Sequence, residues 1–286
     1  MDSRRTPSPS TQPAALDVAG QATPLVTPLL VRQLVLEVSR QGVDGSALCR
    51  GLGFGVSDLF EPDFLVSYAQ TREVLRRALP LLAQPHPGLQ LGASFNVVSW
   101  GVCLLALMSA ADSHQMLERA ALNLPSLGPF MRLNLHDGPM HLSVFADDAD
   151  GDSEISSFLV EHTFASVARV ACFVVAPSFR PIAVDFTLAR PPGTLAPFRQ
   201  LFDCPVRFQQ PANRLVYPSR PEPIATADEV VSTLCDRLLT DRRTSVGERS
   251  QVEQVIVRAI RGKLQSPPTM RFIADSIHLS ERTLRR

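Results

Sequence analysis

The stretch MRLNLHDGPMHLSVF, residues 131–145, sets the strongest limit on how this chain folds. Met131, Leu133 and Leu135 alternate with Arg132 and Asn134, and Met140, Leu142 and Val144 alternate again beyond Asp137 and Gly138. An apolar period of two puts those side chains on one face of a pleated strand, and Asp-Gly is a pair that tight hairpin turns favour. A hairpin is therefore predicted. The flanking sequence has a helical period instead. Upstream, Leu30, Leu34 and Val38 recur every four residues until Gly42 stops the run, and GSALCRGLGF reads as a short helix ended by glycine. SYAQTREVLRRALPLLAQ carries a stripe of Val74, Leu75, Ala78, Leu79 and Leu82, after which Pro85 and Pro87 break the chain. SWGVCLLALMSA is apolar all round and predicts a buried helix, followed by another that Asp112 or Ser113 caps. Downstream, a long helix is predicted over about 154–176, then a strand in PIAVDFTLA, a helix in LAPFRQLF and two short strands in PVRFQQPANRLVYP. Helices interleaved with a hairpin and separate strands make an α+β domain with a mostly antiparallel sheet.

Residues 1–24 are rich in Pro, Ser, Thr and Gln without periodicity and predict a disordered lead-in. Arg4 and Arg5 are followed by no apolar run of the secretory kind, and WGVCLLALMSA is too short to span a bilayer. The five cysteines are odd in number, far apart and never spaced C-x-x-C, which argues against a disulfide framework and a zinc finger. Free thiols fit a reducing compartment, so the chain is expected to be soluble and cytoplasmic, with no membrane partner.

At residue 225 the pattern changes. Thr226 and Glu229 stand at capping-box spacing before an amphipathic helix carrying Val230, Val231, Leu234 and Leu238, and the polar TDRRTSVGE reads as a linker. A further helix is predicted over 249–264. The formal net charge of the chain is zero, yet residues 249–286 hold eight Arg and Lys against Glu253, Asp275 and Glu281, which leaves the rest of the chain acidic. A basic tail on an acidic body points to two jobs, one of them involving a polyanion. The tail ends in TMRFIADSIHLSERTLRR. Phe272, Ile273 and Ile277 give a first helix its packing face, HLS makes a turn, Ser280 caps a second helix, and Leu284 points back to the core. Arg282, Arg285 and Arg286 then project together, and an arginine fork suits the O6 and N7 edge of guanine.

ADSIHLSERTLRR, residues 274–286, resembles the first helix-turn-helix of the AraC family of transcription regulators: Ala274, Leu279, Ser280, Arg282, Leu284 and Arg286 match its pattern, and His278 stands where the family usually has glycine. FQQPANRLVYPSRPEPIATAD, residues 208–228, resembles the end of the effector domain in the branch that includes ornithine- and amino-acid-responsive members, and residues 99–129 resemble another part of that domain. The resemblance implies an effector-binding domain over 25–224, a linker helix and linker over 225–248, and an all-α DNA-binding part over 249–286 that stops within its first helix-turn-helix. It implies DNA and a small-molecule effector as partners, admits a homodimer and contact with RNA polymerase, and calls for no cofactor. It places Arg282, Arg285 and Arg286 toward the major groove, with Ser280 and Thr283 near backbone phosphates. With one partial unit, few phosphates are neutralised, so weak operator binding is expected of residues 1–286.

Other signals are weaker. DDADGDSE fails the calcium-loop pattern, since counting from Asp148 the sixth and twelfth places hold Ser153 and Leu159. The six histidines show no metal-binding spacing: His162 reads as a bonded core residue, and His136 and His141 flank the hairpin turn, where they could face each other. No metal site is expected. The sequence lacks G-x-S-x-G, P-loop and dinucleotide-binding motifs, so no enzyme is predicted. Trp100 and Tyr68 either line an effector pocket or pack in the core. The 226–240 helix pairs with its twin in a dimer or packs on its own domain. The competing reading is a ligand-sensing or protein-interaction module that binds no DNA.

Overall fold

The structure, a computed structural model, describes residues 25–127, 131–148, 153–190, 195–248, 269–271 and 282. Its centre is helix α6 (Ser153–Val174). Phe158, Leu159, Val160, Phe164, Ala165, Val167 and Ala168 are all buried, so this helix is enclosed on every face along its middle. Ile155–Val174, inside the long helix predicted over about 154–176, is long and apolar enough to cross a bilayer; here it is a core helix. Each large apolar side chain buried this way stabilises the fold by about 1.5–3 kcal/mol.

One layer against α6 is helical. α1 (Leu29–Arg40) buries Leu30, Val31, Leu34, Val35 and Val38, and ends where Gly42 takes φ +84°, the left-handed geometry that glycine adopts without strain. α2 (Tyr68–Ala78) starts at Ser67, whose hydroxyl accepts from the Gln70 amide while the Gln70 side chain accepts from the Ser67 amide. Its predicted stripe is buried at Val74, Leu75 and Ala78. A two-stranded pairing of β1 (Leu25–Val26) with β2 (Val66–Ser67) ties the starts of these helices together. α3 (Pro87–Ser94) was unexpected: proline was read as a break, but Pro87 sits in the first turn, where its missing N–H costs nothing. α3 lies so close to α6 that a side chain at Gly92 would stand 2.5 Å from the His162 carbonyl oxygen.

The second layer is a five-stranded sheet in the order β3-β4-β7-β5-β6. β3 (Met131–Asp137) and β4 (His141–Asp148) form the predicted hairpin, with Leu133 opposite Ala146 and Leu135 opposite Val144. His136 and His141 do not face each other: His136 is opposite Ser143, and His141 is opposite Pro218 on the next strand. β7 (Arg214–Pro218) pairs antiparallel with β4 and with β5 (Ala183–Asp185). β6 (Val206–Arg207) joins β5 in parallel, so the sheet is mostly antiparallel, as expected. The buried Asp185 carboxylate receives charge-assisted bonds from Arg207 and Arg214 at 2.7 Å each and locks the three strands. α7 (Ala196–Phe202) buries Phe198 and Phe202 against Phe186 and Phe208.

Three expectations change in the remaining helices. α4 (Val102–Met108) is not buried all round: Val102 and Leu105 are exposed. α5 (Ser113–Asn123) starts as read, with Asp112 accepting from the amides of His114 and Gln115. α8 (Glu229–Glu248) is capped by Asp228, which accepts from the Val231 amide, whereas Thr226 donates to the Met108 carbonyl instead of capping. It runs on through the polar stretch that the sequence assigned to a linker. Ser232, Cys235 and Leu239 are buried against the body, while Val230, Leu234 and Leu238 are exposed. All five cysteines are free.

Candidate functional site

The chemistry of the body gathers where the first turn of α1 meets the middle of α6. Four polar residues, Glu161, His162, Thr163 and Ser166, interrupt an apolar helix. His162 stacks on Phe158 and bonds through Nε2 to the Gln33 side-chain oxygen at 2.9 Å; the Gln33 amide in turn donates to the Leu91 carbonyl at 2.6 Å. Since that oxygen can only accept, His162 carries its proton on Nε2. Burial pushes the imidazole pKa down to about 4, so the ring is neutral at physiological pH. This is the bonded core histidine that the sequence suggested.

Beside it lies a cavity of about 30 Å³ lined by Leu29, Leu30, Gln33, Phe95, Trp100, Leu124, Leu127, His162, Thr163 and Ser166. Trp100 is therefore both a core residue and a cavity wall, whereas Tyr68 lies elsewhere. Thr163 and Ser166 are the unusual members. Both are buried, and neither hydroxyl has a hydrogen-bond partner. Helical Ser and Thr ordinarily bond back to the preceding turn, as Thr71 does to Ser67 and Thr240 to Asp236. An unbonded buried hydroxyl is costly and calls for an explanation. Sequence reasoning missed Gln33, Thr163 and Ser166. The available signal was the polar cluster in the middle of an otherwise apolar helix.

The cavity wall continues directly into the part of the fold that leads toward the C-terminal segment. Trp100 ends a short helical turn, Val97–Trp100, Gly101 bends the chain at φ +55°, and α4 follows. α4 and α8 pack together. Arg119 of α5 fastens them. Its Nη1 donates to the Ala106 carbonyl of α4 at 3.2 Å, and its Nη2 donates to Ser232 and, at 2.8 Å, to the Asp236 carboxylate of α8. Asp228 donates its amide to the Ser109 carbonyl at the start of α8. α8 thus packs on the body, one of the two arrangements considered from the sequence.

Of the DNA-contacting residues named from the sequence, Arg282 is helical and exposed. Ser280, Thr283, Arg285 and Arg286 lie outside the described residues, as do His278, the 249–264 stretch and the acidic loop at 149–152. Among the described residues no group of three His, Cys, Asp or Glu side chains is arranged to hold a metal ion.

Residues 42–220 match the model of the arabinose-binding domain found N-terminally in AraC transcription regulators. The chain is 24% identical over 266 residues to the ornithine utilization regulator of Pseudomonas aeruginosa, covering 91% of this chain and 78% of that protein. Its fold is similar to the crystal structure of the transcriptional regulator CdpR from Pseudomonas aeruginosa, with a TM-score of 0.54 and 19% identity over 89% of this chain and 76% of the other.

Proposed function

We propose a function from one premise: the chain belongs to the family of AraC transcription regulators with an arabinose-binding N-terminal domain. The protein is a DNA-binding transcription regulator of the cytoplasm. Residues 25–224 sense a small molecule, residues 225–248 connect, and residues 249–286 carry helix-turn-helix elements that enter the major groove. Arg282, Arg285 and Arg286 meet base edges or phosphates there, and Ser280 and Thr283 bond to phosphates. The exposed Val230, Leu234 and Leu238 of α8 support a homodimer, and transcriptional control brings RNA polymerase into contact. Catalysis has no part in this reading.

The observation that carries it is the family match across most of the body. The chemistry of the basic tail supports the same reading, because phosphate neutralisation by Arg drives binding and its salt dependence. The test is genome-wide DNA capture with the natural protein, followed by footprinting of the enriched segments. Discrete protected sites are expected, and Arg282→Ala should weaken binding roughly 5- to 150-fold, the range of one bidentate base contact. Absence of enriched sites, or binding indifferent to Arg282 in a folded variant, rejects the proposal.

A further inference from the structure

The lining chemistry restricts what the cavity can receive. Its walls are six apolar or aromatic side chains, a glutamine, a histidine and two hydroxyls, with no Asp, Glu, Lys or Arg. The nearest ionisable side chains are committed elsewhere. Glu161 faces His86 and the Leu89 amide, and Arg169 donates to the Phe95 carbonyl. Gln33 and His162 bond each other, and Gln33 donates its amide to the Leu91 carbonyl. The hydroxyls of Thr163 and Ser166, one helical turn apart on the same side of α6, bond no other protein group.

We infer that this cavity is the effector site and that it takes a small uncharged molecule with an apolar body and one hydroxyl, carbonyl or lactone group, which bonds Thr163 and Ser166. The inference rests on the effector-sensing part of the function proposed above and names its ligand class. A zwitterionic amino acid is excluded by cost: an ammonium or carboxylate buried without a counter-charge or bonding partner loses several kcal/mol. Ornithine, which the name of one relative mentions, therefore has no counter-charge in this cavity. An apolar wall with a few convergent polar groups is the usual form of a small-molecule site.

At about 30 Å³ the cavity matches the share of liquid occupied by one water molecule, so an organic ligand must displace a wall. Trp100 is the wall placed to move. Its turn lies at the surface, where Val98 is 66% exposed, and Gly101 behind it has open space around its α-carbon. Ligand entry turns Trp100 outward and shifts α4, on which α8 rests.

Trp100 is also the single tryptophan of the chain, so its fluorescence reports on this site alone. The experiment titrates the protein with cyclohexanol, γ-hexalactone, hexanoate and L-ornithine, following tryptophan emission and melting temperature. The two neutral probes are expected to shift the emission saturably and raise the melting temperature, and the two charged ones to do neither. Thr163→Val and Ser166→Ala should each weaken the neutral probes roughly two- to tenfold, the worth of one hydrogen bond. Hydroxyls that serve packing alone leave probe binding unchanged in both variants, and that result overturns the inference. So does a saturable response to hexanoate or L-ornithine that the two variants weaken, or no saturable response to either neutral probe. A protein that binds DNA yet fails these titrations loses only this inference, not its role as a regulator.

Discussion

Arg119 and Asp236 stand 2.8 Å apart across the junction between α5 and the linker helix α8, and the same guanidinium reaches the Ala106 carbonyl of α4. One side chain thus fastens three helices. The pair itself is half open to water and contributes little by charge alone, since Asp236 is 48% exposed. The larger effect of losing Arg119 is geometric, because the Ser232 hydroxyl loses its donor and the Ala106 carbonyl keeps the Ser109 hydroxyl, on its own turn of chain. Arg119→Ala is expected to free α8 and to speed tryptic cleavage after Arg237 roughly tenfold, while the melting temperature of the body stays close to wild type. Limited proteolysis followed by mass spectrometry checks this. Unchanged cleavage means that apolar packing of Cys235 and Leu239 holds the helix without the clip.

Acid should act through His162. Its folded pKa is about 4, against 6.5 for the free side chain. Between those values the unfolded chain binds a proton that the folded chain refuses, so this contribution is complete above about pH 6.5 and is lost as pH falls toward 4, by about 3 kcal/mol in all. Glu161 acts in the opposite sense. Burial raises its carboxyl pKa, so its contribution is greatest in acid and declines as pH rises through the folded value. Urea melts between about pH 7.5 and about pH 4 should therefore show a net acid loss, and His162→Gln should flatten that loss by about 3 kcal/mol. An unchanged slope in the variant places the acid sensitivity elsewhere.

Gly92 has no room for a methyl group. The added carbon would stand 2.5 Å from the His162 carbonyl oxygen and 2.7 Å from the Ala165 side chain, both on α6. Gly92→Ala should push α3 off α6 and destabilise the fold by about 1–3 kcal/mol or more. Gly101→Ala makes a useful contrast: there the methyl meets open space, and any loss comes from backbone strain at φ +55°. Chemical denaturation of both variants measures the difference, and a Gly92→Ala protein as stable as wild type contradicts the close packing.

The outward side of α8 makes a prediction about assembly. Val230 is 80% exposed, Leu234 55% and Leu238 48%, at positions four residues apart on one helical face. Replacing Leu234 and Leu238 together by serine should leave the melting temperature of the body near wild type and shift the sedimentation profile toward the monomer. A profile identical to wild type removes α8 from the interface.

Much of this architecture was legible because periodicity records burial. The hairpin at 131–148 was legible because both strands have one buried face, although the chain turns at Pro139 and Met140, two residues past the predicted Asp-Gly turn, and the stripe on α2 because three of its residues pack inward. Where the environment departs from that logic, the sequence misled. Periodicity marked the apolar residues of α8 but not the side that packs: Arg119, on another helix, selects the side bearing Ser232 and Asp236 and leaves Val230, Leu234 and Leu238 exposed. α3 escaped notice because Pro87 reads as a breaker unless its place in the first turn is known. The cavity was harder still. Trp100 was noticed as an aromatic with two roles open, yet Gln33 and Ser166 are separated by more than a hundred residues, and nothing local joins them.

Three bare aliphatic side chains on the helix leaving the body also bear on how cells would use this protein. Association through such a face depends on abundance, because the hydrophobic gain must overcome the entropy that each monomer loses on pairing. Copy number then becomes an input in its own right. A cell making few copies would hold mostly single subunits, with a sensor that can fill but no second reader beside it, whereas a modest rise in expression would switch on paired reading without any change in the metabolite.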